Sequence, residues 1–589
     1  MTLDEFLRAH RCFWGAVFLF ALVAYLLVYT ASDPGLTWDE AIYLGDARVY
    51  WFWFRDEYPP GFWEQMRSRY PPEVVAQLHR EYRVPPGERL PPPSRLSPEA
   101  LWRVWMPRPD HPPLGKLCIM LPLMKLHNLM GVIAAARMGP IFCFALTCVV
   151  LFLFVQRRFG YEAGLFTIIL LVLMPRMFAH AHLASLEMPL LLMWVLTVVA
   201  FEMGVRSRFW GIMAGAFFGL ALLVKFNAVF LLPILAVWGL VFHGRRAITG
   251  LLAMVLLGPL IFLLGWPAFW AFPAKALTLY LRDKLVRMPI PVYYLGVAYD
   301  SPPAPWHYPF VMTLVTTPLL TLVAAGAGVL RTWRGWGKGK GGMKAKGASG
   351  TDLSTSPKPT DARSLRATAF LFVIAFAVPL LVMALPGVPR YDGVRLFLPA
   401  FPFLACLAGL GMSWAWERAG ARKKPSWLRA VLVVLLALQA LPVVLLHPFQ
   451  LGYYNELVGG PWGAKGFGFE TTYWGDTFTM DAVTYIARRL PKGGKVALVA
   501  VGELVPTWYH LAGLWPKDIE TTELKARNWD LAVVVCRQGW IAKKLDREER
   551  RILRELARER PAWMNSIAPF GQVPGCLIYE RPGLAARPS

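Results

Sequence analysis

Long apolar runs alternate with short polar segments along the first three quarters of the chain. Phe13–Thr30, Ile141–Val155, Leu165–Met174, Met188–Phe201, Ala247–Leu264 and Ala430–Leu446 are typical of these runs. Several reach the roughly 17–25 residues that cross about 30 Å of hydrocarbon. Runs of this kind and number are not a globular core, and they predict a polytopic membrane protein. The predicted crossings are 12–30, 138–156, 161–178, 187–204, 210–224, 227–243, 247–266, 307–330, 367–386, 397–415 and 428–446, about eleven in all. The pair 210–224 and 227–243 reads as a tight hairpin with Lys225-Phe226-Asn227 at its outer turn.

After His447 the pattern changes. Lys495–Val501, Leu531–Val535 and Leu577–Tyr579 read as strands, and Met480–Leu490 and Lys543–Arg558 as helices. The fold class expected is therefore mainly α: a transmembrane unit over 1–446, then a small external α/β domain over 447–589.

The polar segments set the topology. Arg157-Arg158, Arg206/Arg208, Arg245-Arg246, Arg331–Arg366 and Arg418–Lys424 all fall inside if Leu114–Met130 lies along the interface, whereas Arg157-Arg158, Arg206/Arg208 and Arg245-Arg246 move outside if it crosses. Excess Lys and Arg mark the cytoplasmic side, so the interfacial reading is the consistent one. It leaves a first external loop over 31–137, in which Phe62–Arg69 and Glu73–Tyr82 read as interfacial helices, and a Gly/Ser/Lys-rich cytoplasmic linker over 332–366. Arg8 and Arg11 precede the first run with no small-x-small cleavage site before Asp33, which predicts an uncleaved signal anchor with its N-terminus inside. An odd number of crossings then puts the C-terminus outside. In a bacterium that places the chain in the inner membrane, facing the periplasm or exterior.

Composition changes this picture little. The net charge of +24 raises the question of nucleic acid, but the basic residues sit in loops between spans and argue against it. No CxxC pair occurs. Cys118, Cys143, Cys148 and Cys406 lie in apolar runs, and a Cys536–Cys576 disulfide is left open.

Chemistry concentrates in the outer segments. Thr37-Trp38-Asp39-Glu40 follows the first span, and the same loop ends Asp110-His111-Pro112-Pro113-Leu114-Gly115-Lys116. Alone, the first string is an acidic span end and the second a rigid turn. In this order, with many spans, they resemble the GT-C glycosyltransferases of family 39, which include protein O-mannosyltransferases and the bacterial aminoarabinose transferase of lipid A. The resemblance implies a sugar donor on a polyprenyl phosphate, a hydroxyl acceptor (protein, lipid or glycan), inversion at the anomeric carbon, and Asp39 as the catalytic aspartate. Glu40 and Glu187 would orient substrates. His111 stands beside the first proline where the aminoarabinose transferase has lysine, which leaves the phosphate role of Lys116 open.

Other outer segments supply candidates of their own. His180 and His182, with Glu187 opening the next span, have a spacing that suits either a divalent metal or two interfacial histidines. In Pro389-Arg390-Tyr391-Asp392-Gly393-Val394-Arg395, Arg390 and Arg395 suit a lipid phosphate or headgroup snorkelling, and Lys225 has a similar case. Tyr453-Tyr454 and Tyr473-Trp474 suit sugar stacking or an interface belt. A carrier or flippase for lipid-linked sugars is the alternative function. The carboxylate-bearing first loop, and the lack of an inverted repeat, favour the enzyme.

Overall fold

The computed structural model describes residues 11–68, 72–86, 88–106, 110–285, 289–301, 303–334, 362–421, 427–569 and 573–581. The core of the predicted linker, 335–361, lies outside the described residues, as does Arg8.

Every predicted crossing is helical. Among the described residues, seven stretches are long and apolar enough to cross a membrane: Cys12–Tyr29, Val132–Phe159, Glu187–Gly204, Phe226–Leu264, Arg363–Ala384, Arg395–Ala419 and Trp427–Leu445. Two further predicted crossings fall on bent helix pairs, Tyr161–Val172 with Pro175–His182 at 72° and Tyr308–Thr316 with Leu319–Trp333 at 112°. The remaining two come from the predicted hairpin. Arg208–Leu222 is a shorter apolar helix, and the 39-residue stretch Phe226–Leu264 contains two helices, Leu231–His243 and Ile248–Leu264. Arg208–Leu222 packs on Ile248–Leu264 in parallel register, with Gly211 against Gly250, Gly215 against Ala253 and Gly219 against Gly258. Two parallel neighbours require Leu231–His243 to run back between them. A Cβ at Gly215 would stand 2.5 Å from the Ala253 carbonyl, so this contact depends on glycine.

The helix ends sort onto two faces. On one, Thr30 bonds His182, Asp33 meets His447, and Glu187 meets Lys225. On the other, Glu202 pairs with Arg158 at 2.6 Å and with Arg206, accepts from Thr368, and Arg331 meets Glu417. Each span runs from one face to the other, so the predicted basic loops share one end of the bundle. Leu114–Met130 starts at the first face, where the Leu114 N–H donates to the Leu223 carbonyl, and Gly131 alone joins it to Val132 near Arg137 on the same face. It does not traverse the bundle, which is the interfacial arrangement expected.

The first loop is more helical than expected. Phe62–Arg67 and Pro72–Tyr82 fall where predicted, while Trp38–Arg55 and Pro98–Trp105 were not read from sequence. Trp38–Arg55 starts at a capping box, in which the Thr37 side chain accepts from the Glu40 N–H and Glu40 accepts from the Thr37 N–H. Its buried face includes Glu40, Tyr43, Asp46 and Tyr50, so buried polar groups interrupt the hydrophobic period.

Seven strands occur among the described residues. β1 (Val292–Tyr294) and β2 (Val297–Tyr299) form a hairpin, and its Gly296 N–H donates to the Gly468 carbonyl. The C-terminal sheet has the order β4-β3-β5-β7-β6, with β3 Gly494–Val499, β4 Ile519–Thr522, β5 Leu531–Val535, β6 Trp563–Ser566 and β7 Pro574–Glu580. β3 runs parallel to β4 and β5, and β7 runs antiparallel to β5 and β6. All five residues of β5 are buried, as a central strand covered on both faces requires. Cys536 and Cys576 are free thiols here.

This segment docks on the start of the first loop. Trp508 donates its indole N–H to the Ala41 carbonyl at 2.7 Å, and the Tyr509 hydroxyl accepts from the Leu36 N–H at 3.0 Å. Gly35 and Trp38 donate to the carbonyls of Asp476 and Trp474.

Candidate functional site

Asp39 lies in the first turn of Trp38–Arg55, where helix N-termini favour a carboxylate. Its Oδ2 accepts from the Tyr43 hydroxyl one turn on, at 3.3 Å, and from Arg395 Nη2. Burial, then the Asp39 charge, push the Tyr43 phenol well above its ordinary range, so it stays a donor.

Arg395 is the hub. Its Nε meets Glu187 Oε1 at 2.9 Å and its Nη1 meets Asp392 Oδ2 at 2.9 Å, while Nη2 meets Asp39. The guanidinium lies over the Trp474 ring at 3.9 Å from its centroid. Glu187 Oε1 also accepts from Lys225 Nζ at 3.0 Å, and Asp392 Oδ1 from Arg537 Nη2 at 3.0 Å. Three carboxylates thus meet three cations. Exposure separates the acids: the side chain of Asp39 is 24% exposed, against 2% for Glu187 and 3% for Asp392. Burial pushes the Asp392 carboxyl up, against the pull of Arg537 and Arg395.

The structure therefore brings together Asp39, Glu187, Lys225 and Arg395 from four separate segments. His111 stands beside them, its ring edge-on to Tyr43 at 6.0 Å. The remaining candidates are engaged elsewhere. Glu40 is completely buried, with both oxygens on Arg137 at 2.8 and 2.9 Å and a further bond from the Ala184 N–H at 2.7 Å. It ties the first loop to the span Val132–Phe159 and to the Leu183–Leu186 turn. Lys116 is likewise enclosed, 2.7 Å from Asp46 and 3.6 Å from Asp110. Burial opposes its charge, but the two carboxylates more than offset that. Its ammonium ties the Asp110–Gly115 turn to Asp46 in the helix Trp38–Arg55. Arg390 spends its guanidinium on the carbonyls of Met383, Leu385 and Ala304, closing the end of the preceding span. Neighbouring arginines in one loop have opposite destinations, which sequence alone does not reveal.

The histidines diverge. His182 bonds Thr30 through Nε2 at 2.7 Å and the Phe178 carbonyl through Nδ1 at 2.8 Å, which occupies both ring nitrogens. His180 Nε2 meets the Tyr473 hydroxyl at 3.3 Å. Among the described residues no group of three or more His, Cys, Asp or Glu side chains is arranged to hold a metal ion.

Tyr43, Arg137 and Arg537 belong to the arrangement but were not singled out from sequence. Arg137 carried a usable signal, as a guanidinium at the start of an apolar span that needs an acidic partner. Arg537 carried none.

Residues 110–270 match the family described as dolichyl-phosphate-mannose-protein mannosyltransferase, which bears out over that segment the resemblance carried by the HPPLGK string. Among solved structures the chain is similar to ArnT from Cupriavidus metallidurans bound to undecaprenyl phosphate, at 15% identity and a TM-score of 0.47 over 98% of this chain and 99% of that one. The apo ArnT structure gives 16% identity and 0.48 over 96% and 98%. The archaeal oligosaccharyltransferase AglB from Archaeoglobus fulgidus gives 10% and 0.43 over 90% of this chain and 70% of that one. No curated protein matches the chain.

Proposed function

We propose that the chain transfers a sugar from a polyprenyl-phosphate carrier to a hydroxyl acceptor on the non-cytoplasmic side of the membrane, with inversion. The observation that carries this is Asp39, the most exposed carboxylate of a charge-balanced cluster at one end of a membrane bundle. The basic loops gathered at the opposite end support the sidedness.

Asp39 accepts the proton of the acceptor hydroxyl as the new C1–O bond forms and the bond from C1 to the phosphate oxygen breaks. The polyprenyl phosphate leaves with the electron pair. Lys225 and Arg395 supply positive charge beside it. Glu187 holds both cations in place, and Tyr43 donates to Asp39. Donor and acceptor classes are tested by incubating the purified chain with radiolabelled polyprenyl-phosphate sugars and hydroxyl acceptors. Release of polyprenyl phosphate coupled to acceptor labelling is the expected result. Translocation of an intact lipid-linked sugar without its cleavage would replace the enzyme by a flippase.

A further inference from the structure

The C-terminal sheet segment enters the carboxylate cluster through one side chain. Arg537 follows two residues after β5, and its side chain is 4% exposed. Its Nη2 bonds Asp392 Oδ1 at 3.0 Å, while the other Asp392 oxygen takes Arg395 Nη1 at 2.9 Å. Asp392 is thus one carboxylate shared by two guanidinium groups that start 142 positions apart in sequence, from 395 to 537. Asp392 and Gly393 have φ of +54° and +61°. Two consecutive left-handed residues form a turn that a non-glycine residue resists, and Asp is among the few that tolerate it. The two ion pairs clamp that turn. Arg537 also lies over the Trp540 ring, which meets Trp38, the residue before Asp39, at 4.6 Å.

We infer that Arg537 is a positioning residue of the transfer reaction, acting through Asp392 to fix the Arg395 fork that holds Asp39. The inference rests on the glycosyltransferase reading. Arg395 divides its donors among three carboxylates, so its position depends on each of them. Without Arg537 one Asp392 oxygen is buried with its cation gone, and the carboxylate turns towards Arg395. The Arg395 fork then moves away from Asp39, and displacements of about 1 Å at a reacting centre cost on the order of 10²-fold in rate.

The test uses the full-length chain in detergent or nanodiscs, with Arg537→Gln, Arg537→Lys, Asp392→Asn and the double variant Arg537→Gln/Asp392→Asn. Turnover per folded molecule and donor KM are measured on each. Arg537→Gln is expected to lower kcat about tenfold or more with donor KM within about twofold. Arg537→Lys should recover most of the loss. The double variant should be no worse than Asp392→Asn, because Arg537 acts through that carboxylate. Wild-type kcat in Arg537→Gln, or losses that multiply in the double variant, would overturn the inference. If Arg537→Gln does not fold, Arg537→Lys and Asp392→Asn decide: equal kcat in both and in wild type overturns it. A wild-type chain that transfers no sugar sinks the functional reading instead, before any variant is compared.

Discussion

Asp39 and Arg395 stand 356 positions apart in the chain and meet as an ion pair at one end of the bundle. Arg395 opens a buried helix, and Asp39 lies in the first turn of the first helix after the first span. The pair joins the first loop to the late spans and leaves the carboxylate partly open to solvent.

Arg395→Lys is expected to lower turnover by about 10²-fold or more, with folded yield largely kept. A single ammonium cannot meet Asp39, Glu187 and Asp392 at once, whereas the guanidinium fork does. Near-wild-type kcat in Arg395→Lys would show that charge alone is needed there.

Glu40→Ala is expected to act on stability. Removing one partner of a buried pair leaves Arg137 uncompensated, at a cost of about 3–5 kcal/mol. The measurement is thermal unfolding in detergent beside turnover per folded molecule. A large fall in Tm or folded yield is expected, with the surviving molecules active. Unchanged stability with lost turnover would return Glu40 to the chemistry.

The crossings were legible because hydrocarbon thickness sets a minimum apolar length that few other structures need. Lys225 and Arg395 drew notice as cations at the ends of spans, where an ion is costly, whereas Asp39 and Glu187 stood out through the family resemblance, an acidic span end alone being commonplace. Helix Trp38–Arg55 was missed because it buries Glu40 and Asp46, which break the apolar period that marks a helix. Lys116 and Glu40 stand in motif positions yet are enclosed by partners, Asp46 and Arg137, that are distant or unmarked in sequence. β4 and β6 are four residues each with polar positions, too short and mixed to read as strands.

Chelation by EDTA is expected to leave turnover unchanged. Both ring nitrogens of His182 are committed to Thr30 and Phe178, and Glu187 Oε1 is committed to Lys225 and Arg395. Loss of turnover on chelation, restored by a divalent cation, would assign phosphate stabilisation to a metal.

Glu470 gives stability a pH slope. Burial raises its carboxyl from the ordinary 4.5 to about 7, against the pull of Arg537 and the Gly539 N–H. The folded state therefore holds a proton that the unfolded state has released. Stability from this group is full below about pH 4.5, falls as pH rises towards 7, and is flat above that. Glu470→Gln should flatten the decline in Tm over that window. An unaltered slope would show that Glu470 titrates normally.

The most direct test of the account is Asp39→Asn, read as sugar transferred per folded molecule from a polyprenyl-phosphate donor, beside donor affinity. The amide keeps the size of the side chain and an acceptor oxygen for Arg395 and Tyr43, but loses the basic site. Removing a positioned base costs on the order of 10²–10⁴ in rate. A fall of that size with donor binding retained is the expected result. Near-normal turnover in Asp39→Asn would contradict the account.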